Sequence, residues 1–206
     1  MGIVAERRRK IILRTEKIII GCDLDDTLWD FVGILLSHYN ADFNDNLSKN
    51  DIKAWDIHKF LKPECKNIFK YADWLSLTRL EIPAKTKETL VELMDDDMFD
   101  LKFVTTCRPE GLPYRKKALL NNLGDCFVSE TQLDKMLFCM PDKSLFAGDF
   151  LIDDCHDNVS SGNYCGILIN KPWNKECKYP DFLRADDLTE AIVKIKDILS
   201  MRGRIR

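Results

Sequence analysis

Short apolar runs closed by acids, hydroxyls or turn residues recur along this chain and alternate with stretches of helical spacing. The first run is Ile18-Ile19-Ile20-Gly21-Cys22, which ends in Asp23-Leu24-Asp25-Asp26-Thr27. Runs of this length without polar alternation read as buried parallel strands. The same pattern predicts strands at Leu101-Lys102-Phe103-Val104-Thr105, Cys126-Phe127-Val128, Phe150-Leu151-Ile152 and Cys165-Gly166-Ile167-Leu168-Ile169, with a further short one at Met136-Leu137-Phe138-Cys139. Between them lie helical patterns. Pro83 suits the first turn of a helix carrying Leu90, Val91 and Met94 on one face. Leu188, Ala191, Ile192, Ile195, Ile198 and Leu199 form an apolar stripe behind Asp187 as N-cap, with Glu190 completing a capping-box-like pair. Strand and helix in alternation define an α/β fold with a parallel, Rossmann-like sheet.

From Phe31 to Leu80 the alternation stops. Aromatics at helical spacing (Phe43, Trp55, Phe60, Phe69, Tyr71, Trp74) occur without a β run. The expectation is a helical cap at residues 31–80, inserted after the first strand of a core made of residues 1–30 and 81–206. Such a cap lies above the carboxyl edge of the sheet, where open α/β sheets bind ligands.

Composition narrows the class. The 206 residues are 45% hydrophobic and 32% charged, enough for one good-sized domain with a core. A formal charge of −3 argues against bulk nucleic-acid binding, and no apolar run approaches a membrane span. The eight cysteines form no CxxC pair, which argues against a zinc ribbon. Arg7-Arg8-Arg9-Lys10 is followed only by Ile11-Ile12-Leu13, too short for a secretory core, so reduced thiols in a cytoplasmic protein are expected. Cys22 and Cys155 flank acids and read as buried and inert.

The acids at the strand ends carry the chemistry. Asp23 and Asp25, one residue apart, repel unless a cation or a shared proton intervenes. Asp153-Asp154 closes a second apolar strand in the same way. Thr106-Cys107-Arg108-Pro109 brings a hydroxyl and fresh backbone N–H groups to a strand end, where they can cradle a phosphate oxygen. Lys143 adds a fixed positive charge. Taken singly, Thr106 also suits a helix N-cap, and Asp153-Asp154 a turn. In this order, the four segments point to a metal-assisted phosphoryl site. The histidines His38, His58 and His156 show no metal spacing.

These motifs resemble the haloacid dehalogenase superfamily of phosphatases over nearly the whole chain. With Gly148-Asp149-Phe150-Leu151-Ile152-Asp153-Asp154 and Asn170-Lys171-Pro172-Trp173-Asn174, the chain looks similar to the 5′(3′)-deoxyribonucleotidase family. The resemblance implies Asp23 as nucleophile and Asp25 as acid and base. It implies Mg²⁺ held by Asp23, the Asp25 backbone carbonyl and the later pair, chiefly Asp154 with Asp153 beside it. Thr106 and Lys143 would neutralise the phosphoryl oxygens, with Cys107 and Arg108 near the phosphate. Phe31, eight residues past the nucleophile, and Trp55 would meet a nucleobase; for Trp55 and Trp74, packing inside the cap is the competing reading. Asp26 departs from the family pattern and is expected to face outward. The implied partner is a small phosphomonoester, a (deoxy)nucleoside monophosphate, with a homodimer left open. A sugar phosphate, a nucleic-acid 3′-phosphate end, or a non-catalytic nucleotide binder are the alternatives.

Overall fold

The computed structural model describes residues 17–70, 73–177 and 183–203. The basic stretch at Arg7–Lys10 lies outside them. Six parallel strands form one sheet in the order β3-β2-β1-β4-β5-β6. They are β1 (Ile18–Cys22), β2 (Phe99–Thr105), β3 (Leu137–Cys139), β4 (Phe150–Asp153), β5 (Cys165–Ile169) and β6 (Leu183–Ala185). The α/β class and the parallel sheet agree with the sequence pattern. The chain leaves β1 towards β2 on one side and returns to β4 on the other, so β1 sits at the point where strand order reverses. That crevice is where doubly wound sheets bind ligands.

Two strand assignments change. Cys126-Phe127-Val128 is not a strand: Gly124–Cys126 is a 3-10 turn, and Val128 is almost fully exposed. With one buried residue in three, the run has too little apolar surface to hold a place in the sheet. In the other direction, Leu183–Ala185 forms the edge strand β6, pairing Ile167 with Leu183 and Ile169 with Ala185. Its Leu-Arg-Ala sequence carries no β pattern, and the ladder of β5 supplies the order.

The helices are α1 (Phe31–Phe43), α2 (Trp74–Leu77), α3 (Ala84–Asp95), α4 (Leu112–Leu123), α5 (Glu130–Met136), α6 (His156–Ser161) and α7 (Leu188–Met201). In α3, Pro83 is the N-cap residue, one position before the first turn, and Thr86, Thr89, Leu90 and Leu93 are buried. In α7 the Asp187 carboxylate accepts the Glu190 N–H at 2.8 Å, while Glu190 reaches back to the Asp186 N–H at 2.7 Å. Its apolar stripe covers one sheet face.

Between β1 and α3 the described residues hold α1, three 3-10 turns and α2, with no strand. Phe31, Leu35, Ile52 and Ile68 from this segment join Ile20, Phe103 and Ile152 of the sheet in one continuous core cluster. The segment is therefore bonded to the sheet by burial as well as by the chain, on the order of 1.5–3 kcal/mol for each fully buried side chain.

Candidate active site

Every strand end in the crevice delivers a polar side chain. Asp23 follows β1, and its N–H still pairs with the Ile152 carbonyl at 2.9 Å, so the strand geometry aims the carboxylate. Asp153 ends β4 and Asp154 follows it. Lys143 comes from a 3-10 turn, Lys143–Leu145. Its Nζ lies 2.5 Å from Asp23 Oδ1 and 2.7 Å from Asp153 Oδ2. Asp153 also accepts the Cys155 N–H at 2.8 Å and the Asn158 amide at 3.0 Å. Asn158 reaches it because α6 closes tightly on β5: at Gly166 a Cβ would stand 2.0 Å from the Val159 carbonyl oxygen. Asp154 accepts the Trp173 indole N–H at 2.8 Å. Asn174 donates to the backbone carbonyls of Asp154 (2.8 Å) and Ile169 (2.7 Å). The Pro172-Trp173-Asn174 turn thus fixes both the side chain and the backbone of Asp154.

Charge balance inside this cluster is lopsided. Asp23, Asp26, Asp153 and Asp154 are buried here, and the one lysine buried among the described residues, Lys143, pairs with Asp23 and Asp153 alone. Burial, then the Asp153 and Asp25 charges, push the Asp23 carboxyl up to about 7 against the opposing pull of Lys143. Burial first, then Asp153, Asp23 and Asp26, hold Asp154 well above the usual carboxylate range. For Lys143 burial alone would favour the neutral amine, but Asp23 and Asp153 outweigh it and hold the pKa up. A cation placed among the acids removes this conflict.

The donor set fits one. Carboxylate oxygens of Asp23, Asp153 and Asp154 lie within 4.8 Å of one another, all three residues buried. An all-oxygen set suits a hard divalent ion such as Mg²⁺. The Asp25 carboxylate lies outside that triad.

Asp25 has different company. Its Oδ1 accepts the Trp29 indole N–H at 2.9 Å. Its Oδ2 accepts Arg115 Nε–H at 2.9 Å and a second N–H from Arg115 Nη2. Arg115 Nη1 donates to the Gly111 carbonyl, and the guanidinium carbon lies 5.2 Å from the Phe31 ring centre and 5.9 Å from that of Trp74. For Arg115, too, burial opposes the charge and Asp25 restores it. This residue escaped sequence reasoning, yet a sign was present. Arg115, Ala118, Leu119 and Leu123 are the buried positions of α4. A charged residue in phase with an apolar stripe needs a buried partner.

Asp26 overturns its expectation. It is 6% exposed, at φ 57°, and its carboxylate accepts the Val32 N–H at the start of α1. Burial, opposed by that hydrogen bond and reinforced by Asp25, pushes it up to about 8. The turn after Asp25 folds back to meet the helix end, which draws Asp26 inward.

Above the acids opens a cleft of about 390 Å³. Asp23, Asp25, Lys143 and Thr106 line its floor; Phe31, Leu35, Ile52, Trp55, Ile57 and Phe69 line the opposite wall. Thr106 is exposed there, its hydroxyl donating to the Met140 carbonyl at 2.8 Å. Phe31 is largely buried, stacked 6.5 Å from Phe69, whereas Trp55 stands half-exposed. Cys107 and Arg108 are not among the cleft-lining residues. Trp74 stacks on Tyr114 away from the cleft. Cys22 and Cys155 are buried with thiol pKa values raised chiefly by burial, Cys155 to about 12. Among the described residues no helix is long and apolar enough to cross a membrane.

A parallel sheet in this order has the fold of haloacid-dehalogenase-like hydrolases. A structure of that kind from Xanthomonas campestris superposes with TM-score 0.52 over 92% of this chain and 99% of its own, at 13% identity. The family described as 5′ nucleotidase, deoxy (pyrimidine), cytosolic type C matches residues 17–200, and the chain belongs to that family. It is therefore a phosphoric monoester hydrolase of the nucleotidase type. A 5′(3′)-deoxyribonucleotidase of Clostridium acetobutylicum is 29% identical over 180 residues, 85% of this chain and 93% of the relative. One of Bacillus subtilis is 26% identical over 161 residues, 77% of this chain and 88% of the relative.

Proposed function

We propose that this protein is a Mg²⁺-dependent 5′(3′)-deoxyribonucleotidase that hydrolyses (deoxy)nucleoside monophosphates through a phosphorylated Asp23, in the cytoplasm. The observation that carries the reading is the Asp23–Lys143–Asp153 chain of contacts, buried beneath a cleft with an apolar wall. Asp23 attacks phosphorus while the ester P–O bond breaks, and Asp25 gives the leaving oxygen its proton. Asp25 then takes a proton from water, which cleaves the acyl phosphate and frees Asp23. Lys143, beside the attacking oxygen, and Thr106 balance charge on the phosphoryl oxygens. Asp23, Asp154, Asp153 and the Asp25 carbonyl would hold the ion, which would add charge neutralisation for the phosphoryl oxygens. Residues 31–80 form the cap, with Trp55 and Phe31 on the side of the base, and Cys107 and Arg108 at the outer edge of the phosphate loop.

Phosphate release from 5′- and 3′-(deoxy)nucleotides and sugar phosphates, with Mg²⁺ or EDTA, tests the reading. Release confined to nucleotides, lost with EDTA and in Asp23→Asn, is the expected outcome. An acid quench with ³²P-labelled substrate should leave a hydroxylamine-labile label on the wild type. Preferred turnover of sugar phosphates would discard the substrate class.

A further inference from the structure

We propose that Cys107 and Cys139 are an oxidative modification site: a peroxide joins them in a reversible disulfide at the edge of the phosphate loop. Their sulfurs already lie 3.6 Å apart, and the Cys139 thiol also donates to the Cys107 carbonyl at 3.5 Å. No other pair of thiols makes such a contact among the described residues. The sheet sets up the meeting. Thr105 and Cys139 are partners in the parallel β2–β3 ladder, and Met140 N–H continues it to the Thr105 carbonyl at 2.9 Å. Cys107, two residues past the end of β2, turns back across that ladder.

The two thiols are unequal, which assigns them roles. Cys139 is exposed and Cys107 partly buried. Burial, opposed by Arg115 and reinforced by the Cys139 thiol, pushes Cys107 up to about 12, so it keeps its proton. Cys139 is the sulfur a peroxide meets first. Its thiolate attacks one peroxide oxygen, the O–O bond breaks, and a sulfenic acid and hydroxide result, the latter protonated to water. The Cys107 sulfur then displaces the hydroxyl from Cys139: the S–S bond forms, the S–O bond breaks, and a second water leaves with the Cys107 proton. Two thiols and one peroxide give one disulfide and two waters. A dithiol reverses the step by exchange.

Closure brings the sulfurs from 3.6 Å to about 2.05 Å. The residues moved are the immediate neighbours of the hydrogen bond between Thr106 and the Met140 carbonyl. Thr106 lines the cleft floor, so the bond alters the phosphate loop and lowers turnover. The disulfide itself stands on the cysteine geometry alone; its effect on turnover rests on the proposed function.

The test is peroxide treatment of the reduced full-length protein, alkylation of remaining thiols, digestion without reductant and mass spectrometry, with phosphatase assays in parallel. Expected is one cross-linked peptide pair joining Cys107 to Cys139, absent in Cys139→Ser. Wild-type turnover should fall several-fold and recover with dithiothreitol, while Cys139→Ser keeps its activity through the same treatment. Cys139 found as sulfinic or sulfonic acid with Cys107 still alkylated would overturn the site. A link formed with turnover unchanged would overturn the coupling to the phosphate loop. Should the reduced protein hydrolyse no phosphomonoester, the functional reading fails, and the peptide map still decides the disulfide.

Discussion

The floor and the wall of the cleft are built by opposite means. On the floor, Asp23, Lys143, Asp153 and Asp154 are buried, and each is held by at least one short hydrogen bond to a partner distant in sequence or across a strand. On the wall, Phe31 opens helix α1, Ile57 and Phe69 stand in 3-10 turns and Ile52 directly follows one, with Trp55 half in water. Floor groups are positioned by directional bonds in a low-dielectric site, where small displacements are expensive. Wall groups are positioned by packing, which tolerates volume-conserving change. In the proposed function, chemistry belongs to the first region and substrate preference to the second.

Substitutions can break this division. The largest effect is expected from Asp23→Asn, which should remove turnover of every phosphomonoester by about 10⁴-fold or more in steady-state assays. Next, Lys143→Met should lower kcat on all substrates by roughly 10²–10³-fold. It also strands buried carboxylates, and urea titration should show a loss on the order of 3–5 kcal/mol. Arg115→Met should cost about 10²-fold in kcat on nucleotides while leaving KM close to wild type, because it misplaces Asp25 rather than the substrate. An equal loss in an Asp25→Asn background would contradict that, since nothing is then left to position.

The wall gives a smaller and selective effect. Trp55→Ala should raise KM for nucleotides by about tenfold, in line with one lost base stack, and leave a small aryl phosphate unaffected. Equal losses on both substrates would erase the distinction between the two regions.

Asp26 sharpens the comparison without substrate. Its folded pKa of about 8 lies above the unfolded value of about 3.9. The folded state therefore binds this proton more tightly, and the contribution to stability is fully present below the unfolded value and lost as pH rises through about 8. Asp26→Asn removes that loss and suits φ 57°, since Asn tolerates the left-handed region. In EDTA its melting temperature should exceed wild type by a margin that grows from pH 5 to pH 8. A constant margin would mean that Asp26 carries no raised pKa.

The floor was more legible in sequence than the wall, for a physical reason. Strands β1 and β4 are continuous apolar runs, and the acids that close them are adjacent in sequence, so Asp23 and Asp153-Asp154 stand out locally. Arg115 stands in Arg115-Lys116-Lys117, where the run of bases masks its phase with the apolar stripe of α4. Only its partner 90 residues away, Asp25, makes it part of the site. The burial of Asp26 depends on a left-handed turn that no pattern of hydrophobicity encodes. Leu183–Ala185 owes its strand to its neighbour, and the 3-10 turns around Trp55 have no periodicity to read. Likewise, Trp173 and Asn174 were visible as a motif, but their grip on Asp154 is a tertiary fact.

Asn174 bridges the ends of β4 and β5 through two backbone carbonyls, and Arg184 on β6 holds Asn174 in turn, donating to its carbonyl at 2.8 Å. Three neighbouring strands are thereby riveted beneath one carboxylate. In the proposed reaction, charge migrating across the phosphoryl group meets dipoles that are already oriented and cannot relax far. The reorganisation that water would undergo at each step is thus completed once, when the chain folds.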